Sequence, residues 1–161
     1  DDERADLLDR VGQLLMLEGE HLDAARRLRE AHDIAPEAHG AAERLARAAG
    51  SAAMGGDLDL ADRMWRRMGQ AHPDQLARSE LGLANVALAR GRVEEALASY
   101  EAASNHAFDP DVSSVASLGA ATCLERLGDL DEALAELDAA DLPPEVHASR
   151  AAQIRAREAV R

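Results

Sequence analysis

Six histidines, His21, His32, His39, His72, His106 and His147, are the side chains best able to bind a metal or carry a proton. No two of them fall at i, i+4, the spacing that puts two imidazoles on one helix face for zinc. Two acidic runs, Asp57-Leu-Asp59-Leu-Ala-Asp62 and Asp129-Leu-Asp131-Glu132, have the look of calcium loops. They lack the sixth-position glycine and the closing glutamate that shape such a loop, and read better as helix starts. Cys123 is the only cysteine, so no disulfide within the chain is possible, and between Thr122 and Leu124 it reads as a small buried residue. No glycine-rich phosphate loop follows a strand. The chemistry available from these residues is therefore recognition, and the expectation is a chain that is not an enzyme and uses no cofactor and no metal.

Charge narrows the partners. With 31 Asp and Glu against 18 basic residues, all of them arginine, the formal net charge is −13. That opposes nonspecific attraction to nucleic acid and to anionic membrane, because both require clustered cations. No apolar run approaches the length that crosses a bilayer, and Arg4 among acidic neighbours is not the start of a secretory signal. The expected location is the cytoplasm. The absence of an initiating methionine suggests an excised segment, which leaves room for a signal, an anchor or a partner domain outside it.

The elements that position the side chains are read from periodicity. Apolar residues are 47% of the chain and aromatic ones 2%, so alanine and leucine must build the core and a β-sandwich is disfavoured. The stretch from Gly128 carries Ala133, Leu137 and Ala140 at five, nine and twelve residues past the glycine. The same offsets give Gly19, Ala24, Leu28 and Ala31, then Gly56, Ala61, Trp65 and Met68, then Gly91, Ala96, Tyr100 and Ala103. Another small residue, Gly12, Ala49, Ala84 or Ala121, precedes each of the inner alanines by twelve. A small residue in a first helix, a glycine turn and a small residue in a second helix let two antiparallel helices approach closely. Each pair ends at a proline or a loop, as at Pro36, Pro73 and Asp109-Pro110. Helices are expected at about 5–17, 21–33, 41–54, 74–89, 93–106, 130–140 and 145–161, with a further one from Asp111 or Ser113 to Leu127. Asp57 or Asp59 is the expected cap of the helix that follows the Gly55-Gly56 turn and carries Trp65.

These spacings resemble those of the tetratricopeptide repeat over about residues 5 to 147. The resemblance implies an all-α, right-handed α-solenoid of antiparallel helix pairs, a single domain over 1–161. Its units lie at about 5–38, 42–75, 77–110 and 114–147, and a capping helix at about 145–161. A fifth small slot would fall on Arg155, which is too large for close packing, hence the cap. The sequence departs from the family at the aromatic helix-start position, filled here by Leu8, Leu45, Glu80 and Ser117. The inner alanines are also spaced by 37, 35 and 37 residues, which exceeds the family's unit of about 34.

The resemblance also implies a binding face. First helices of such repeats line a concave groove, and aligning the small residues transfers that face, which includes Gln13 and Met16 from unit one and Met54 from unit two. Units three and four supply Arg78, Leu81, Asn85 and Leu88, then Leu118, Thr122 and Arg126. Relatives that capture acidic chaperone tails carry a clamp of Lys, Asn, Asn, Lys and Arg. Here Asp9, Gln13, Arg47, Arg78 and Gly82 stand at those places, and the clamp is absent. The groove is instead unexpectedly apolar, which implies a protein partner held as a peptide or helix. Asn85 reads as the residue that recognises a peptide backbone, since an amide both donates and accepts, and Arg47, Arg78 and Arg126 as a local cationic spot. Ordinary helix packing or self-association is the competing use of an apolar stripe. The run from Ala84 to Ala96 is also similar to helical sensor arrays of large bacterial transcription regulators, which makes a regulatory sensor domain the alternative function.

Overall fold

The computed structural model describes residues 2–159, among which every regular element is a helix. The elements are α1 (Asp2–Leu17), α2 (His21–Ile34), α3 (Ala41–Met54), α4 (Leu58–Ala71), a single 3-10 turn (Pro73–Gln75), α5 (Leu76–Ala89), α6 (Val93–His106), α7 (Pro110–Leu127), α8 (Leu130–Ala139) and α9 (Pro144–Glu158). Each helix packs chiefly on its neighbours in sequence, α1 on α2 and so on to α8 on α9. The result is a right-handed solenoid of antiparallel pairs.

The recurring glycines have a backbone reason. Gly19, Gly56, Gly91 and Gly128 all sit at positive φ, between 75° and 95°, the left-handed conformation that ends a helix without a Cβ clash. At Gly56, the glycine N–H donates to the Ala53 carbonyl (3.0 Å) and the Asp57 N–H to that of Ala52 (2.9 Å). At Gly91 the same pair of bonds runs to Leu88 (3.0 Å) and, from Arg92, to Ala87 (2.9 Å). Carbonyls that the helix end leaves unpaired are thereby satisfied, and the chain reverses into the second helix in three residues. Asp57 then caps α4, its carboxylate accepting from the Leu60 N–H at 2.8 Å.

All eight small positions of the repeat are buried, Ala24, Ala49, Ala61, Ala84, Ala96, Ala121 and Ala133 completely. The large slot is used less uniformly than the spacing predicts. Leu28 and Leu137 are fully buried and Tyr100 nearly so, whereas Trp65 is only half-buried. The two rings lie against the next pair. A Cβ on Gly82 would come 2.2 Å from the Trp65 ring, and one on Gly119 2.4 Å from the Tyr100 ring. Each ring thus seats on a glycine two residues before a small alanine, an aromatic-to-glycine contact that stacks α4 on α5 and α6 on α7.

Several helix ends differ from the sequence reading, among them α1, which begins at Asp2, and α5, which begins at Leu76 after the 3-10 turn. α7 begins at Pro110, with Asp109 as its cap accepting from the Asp111 N–H at 2.9 Å, so Asp109-Pro110 opens a helix rather than merely separating two. Proline fits there because the first helical N–H has no partner to lose. α9 begins at Pro144 for the same reason, and its predicted last residues, 160 and 161, lie outside the described residues. Within α9, Arg155 is exposed while Ala151 and Ile154 join the core cluster of Leu124, Leu130 and Leu137. No described helix is long and apolar enough to cross a membrane.

Candidate binding groove

The first helices α1, α3, α5 and α7 lie side by side, and ion pairs tie the first three together. Arg44, almost wholly buried, donates to Asp6 of α1 at 2.8 Å, and Arg47 reaches Asp9 at 3.1 Å. Arg78 of α5 contacts Glu43 of α3 at 2.6 Å, and this hydrogen bond holds the Glu43 carboxyl below its ordinary range. Three carboxylates and three guanidiniums alternate along this edge and neutralise one another. The local cationic spot expected from Arg47, Arg78 and Arg126 is thereby reduced to Arg126, the one of the three with no carboxylate partner among the described residues. The sequence could not reveal this, because the pairs join residues 35 and 38 apart across separate units.

Inside that edge the surface is mostly uncharged, Arg126 excepted. Gln13, Met54, Asn85 and Arg126 are exposed, Met54 to 68%, while Met16, Arg78, Leu81, Leu88, Leu118 and Thr122 are half-buried. Met16 packs against the cluster of Leu28 and Leu45, and Leu81 and Leu88 against that of Ala84, Tyr100 and Cys123. Leu118 packs against Ala121, Leu124 and Ile154. Each apolar side chain thus has one flank in the core and one towards solvent, as follows from standing three or four residues from a buried small position.

Unit four is arranged differently. Thr122 donates to the Leu118 carbonyl at 2.9 Å and accepts from Arg150 at 3.1 Å, while Glu125, itself buried, takes Arg150 at 2.7 Å and Arg157 at 2.9 Å. α9 therefore covers Thr122, and the open surface runs over α1, α3 and α5 to the last turn of α7.

Asn85 is not a bare amide. The Tyr100 hydroxyl donates to its Oδ1 at 2.5 Å. One further grouping was missed by spacing alone. His32, 1% exposed, faces His72 with Nε2 atoms 3.4 Å apart and rings edge-on, and burial lowers its pKa. Their separation of 40 residues carries no local signal. Burial likewise pushes the Cys123 thiol up, which makes it a poor nucleophile. Among the described residues no three of His, Cys, Asp and Glu converge as a metal site.

An all-helical solenoid with a laterally open face is the architecture of repeat proteins that bind other proteins. The model of the tetratricopeptide repeat-like domain matches residues 29–156, and the chain belongs to that family. Solved structures share the fold: PilF of Pseudomonas aeruginosa (20% identity, 98% of this chain and 70% of that one, TM-score 0.76) and a double mutant of MamA from RS-1 (19%, 96% and 85%, 0.75). A kinesin light chain of Podosopora anserina with nearly identical tetratricopeptide-like repeats is a third (16%, 98% and 89%, 0.70). No curated protein matches. The fold generally mediates protein–protein interaction.

Proposed function

We propose that this chain is an interaction scaffold or adaptor, one solenoid domain over residues 1–161, that holds a peptide or helical segment of a protein partner in its concave groove. The observation that carries this reading is the uncharged strip of half-exposed Met16, Leu81 and Leu88 with exposed Met54 and Asn85, bounded by mutually neutralised ion pairs, in a chain of net charge −13. Such a strip favours apolar anchors over charged ones. A Leu-sized anchor contributes about 1.5 to 3 kcal/mol before ordering costs, so two or three support affinity of about micromolar order. The test compares partners recovered by wild type and by an Asn85→Ala, Leu88→Asp variant of unchanged helicity. Loss of binding by the variant is expected; equal recovery at equal affinity would remove the groove as the site.

A second reading, self-association, draws on a different surface. Leu7, Leu14 and Leu17 on α1 are exposed to 62%, 59% and 85%. Sedimentation that gives the monomer mass at about 100 μM would dispose of it.

A further inference from the structure

Outside the apolar strip, two histidines meet where unit one joins unit two. His32, on the last turn of α2, is 1% exposed, and its Nε2 faces that of His72 across 3.4 Å. The i, i+4 rule that argued against a metal does not reach this pair, whose members stand 40 residues apart. Their separation is long for a hydrogen bond, since N–H donors ordinarily sit about 2.7 to 3.2 Å from their acceptors. It matches what a tetrahedral ion imposes on its ligands. With zinc–imidazole bonds of about 2.0 to 2.1 Å, nitrogens on two corners of a tetrahedron stand about 3.3 to 3.4 Å apart. A square-planar ion with such bonds would bring them to about 2.9 Å.

The surroundings suit both nitrogens to that use. The other ring nitrogen of His32, Nδ1, has no hydrogen-bond partner at ordinary distance and stands 3.6 Å from Asp33 Oδ1. A carboxylate on that side favours the proton on Nδ1 and leaves a lone pair on Nε2, the arrangement that orients metal-ligating histidines. Arg67 contacts the same Asp33 oxygen at 2.6 Å, which holds the carboxylate in place and offsets its charge. Burial lowers the His32 pKa, so the ring is neutral at about pH 7, as a ligand must be.

His72 is the adjustable member. Its backbone is fixed as the C-cap of α4, with its N–H on the Met68 carbonyl at 2.8 Å and its carbonyl accepting from the Gln75 N–H at 2.9 Å. Its half-buried side chain can still turn about χ1 and χ2 to aim at an ion held by His32. His72 also borders an open cleft of about 470 Å³, lined in addition by Glu37, His39 and Asp74, through which water and ions reach it.

We propose that His32 and His72 form a two-histidine site for a tetrahedral divalent ion, zinc, which clips the end of α2 to the end of α4. Both ligate through Nε2, and water from the cleft takes the two remaining corners. Two is the number of protein ligands because no third His, Cys, Asp or Glu converges on the pair among the described residues. A site with two protein ligands binds less tightly than a closed structural site with four, so the clip is exchangeable.

The test is zinc itself, titrated into the chelator-treated chain at about pH 7.5, where ordinary histidines are neutral, while the imidazole nitrogens of all six histidines are followed by NMR. Zinc is expected to shift Nε2 of His32 and His72 together, at a concentration at least about tenfold below that which moves the other four. Among those four, His106 and His147 are the stringent competitors, each with a carboxylate at 2.7 Å. His72→Gln, at a half-buried position, is expected to weaken zinc at His32 by at least about tenfold with helicity unchanged, and His32→Gln to do the same at His72. Zinc is also expected to slow amide exchange in α2 and α4 of the wild type and not of His72→Gln. Movement of His39 together with the pair would uphold the site and add a ligand to it. Zinc that moves His32 and His72 no earlier than the other histidines overturns the inference, as does a His72→Gln variant that binds zinc like the wild type; the pair is then a plain ring contact.

Discussion

The α2–α3 junction and the α6–α7 junction perform the same task with different materials. On α3 the residue two before the small alanine is Arg47, which reaches back to Asp9 of α1, and Leu28 supplies the apolar contact of the preceding helix. On α7 the same place is Gly119, and the Tyr100 ring lies directly upon it. Beside one junction an ion pair bridges α3 to α1 at a half-exposed edge; at the other an aromatic ring seats on bare backbone. The contrast teaches that equivalent junctions of the repeat can be filled by side chains of very different chemistry. Ion pairs at a partly wet edge contribute little net free energy, whereas an aromatic contact without a void contributes several kcal/mol.

That difference can be broken from either side. The largest effect is expected from Tyr100→Ala, which leaves a cavity over Gly119 and strands Asn85 Oδ1, at a cost of about 3 to 5 kcal/mol in denaturant unfolding. Gly82→Ala attacks the corresponding contact from the backbone side. Its methyl would sit within 2.2 Å of the Trp65 ring, and displacing the ring should cost about 1 to 3 kcal/mol. A Trp65→Leu, Gly82→Ala double variant should recover part of that loss; a double variant no better than the sum of its singles would show that the ring and the glycine are not coupled. At the ionic junction, Arg47→Gln is expected to change stability by no more than about 1 kcal/mol, with the difference from wild type shrinking in 1 M salt.

The smallest effect concerns the His32–His72 contact, which joins α2 to the end of α4. Burial, with the Arg67 charge as the next cause, lowers the His32 pKa, and Asp33 and His72 are its other charged or titratable neighbours. The folded state therefore binds this proton less readily than the unfolded chain. The stability it contributes is fully present above about pH 6.5 and is lost as pH falls from there through the folded pKa. His32→Gln should flatten that part of the stability profile between about pH 7 and 5. An unchanged slope would mean that another group carries it.

Much of the fold could be read because its rules are local. A glycine followed at five, nine and twelve residues by small or large apolar side chains is a statement about one hairpin, and positive φ at Gly19, Gly56, Gly91 and Gly128 is its physical cause. The seating of Trp65 on Gly82 was not legible in this way, since it joins two hairpins and Gly82 looks like an ordinary interruption of a helix. The site is where residue type was least sufficient. Asn85, Arg78 and Arg126 are equally polar on paper, but only partners from other units decide which of their atoms remain available. Arg78 is engaged by Glu43, the carbonyl of Asn85 by Tyr100, and Thr122 by Arg150 of the final helix.

Because each helix packs chiefly on its neighbours in sequence, the loop closures needed to form this solenoid are short. Few distant segments must find each other, so ordering can begin in any pair and spread along the axis, and folding should be fast for a chain of this size. The same linear wiring governs how the molecule comes apart. Amide exchange should be quickest in α1 and α9, each flanked by a helix on one side only, and slowest in α3 to α6. Under load along the axis, pairs should peel away one after another in sequential, sawtooth-like steps rather than rupture together.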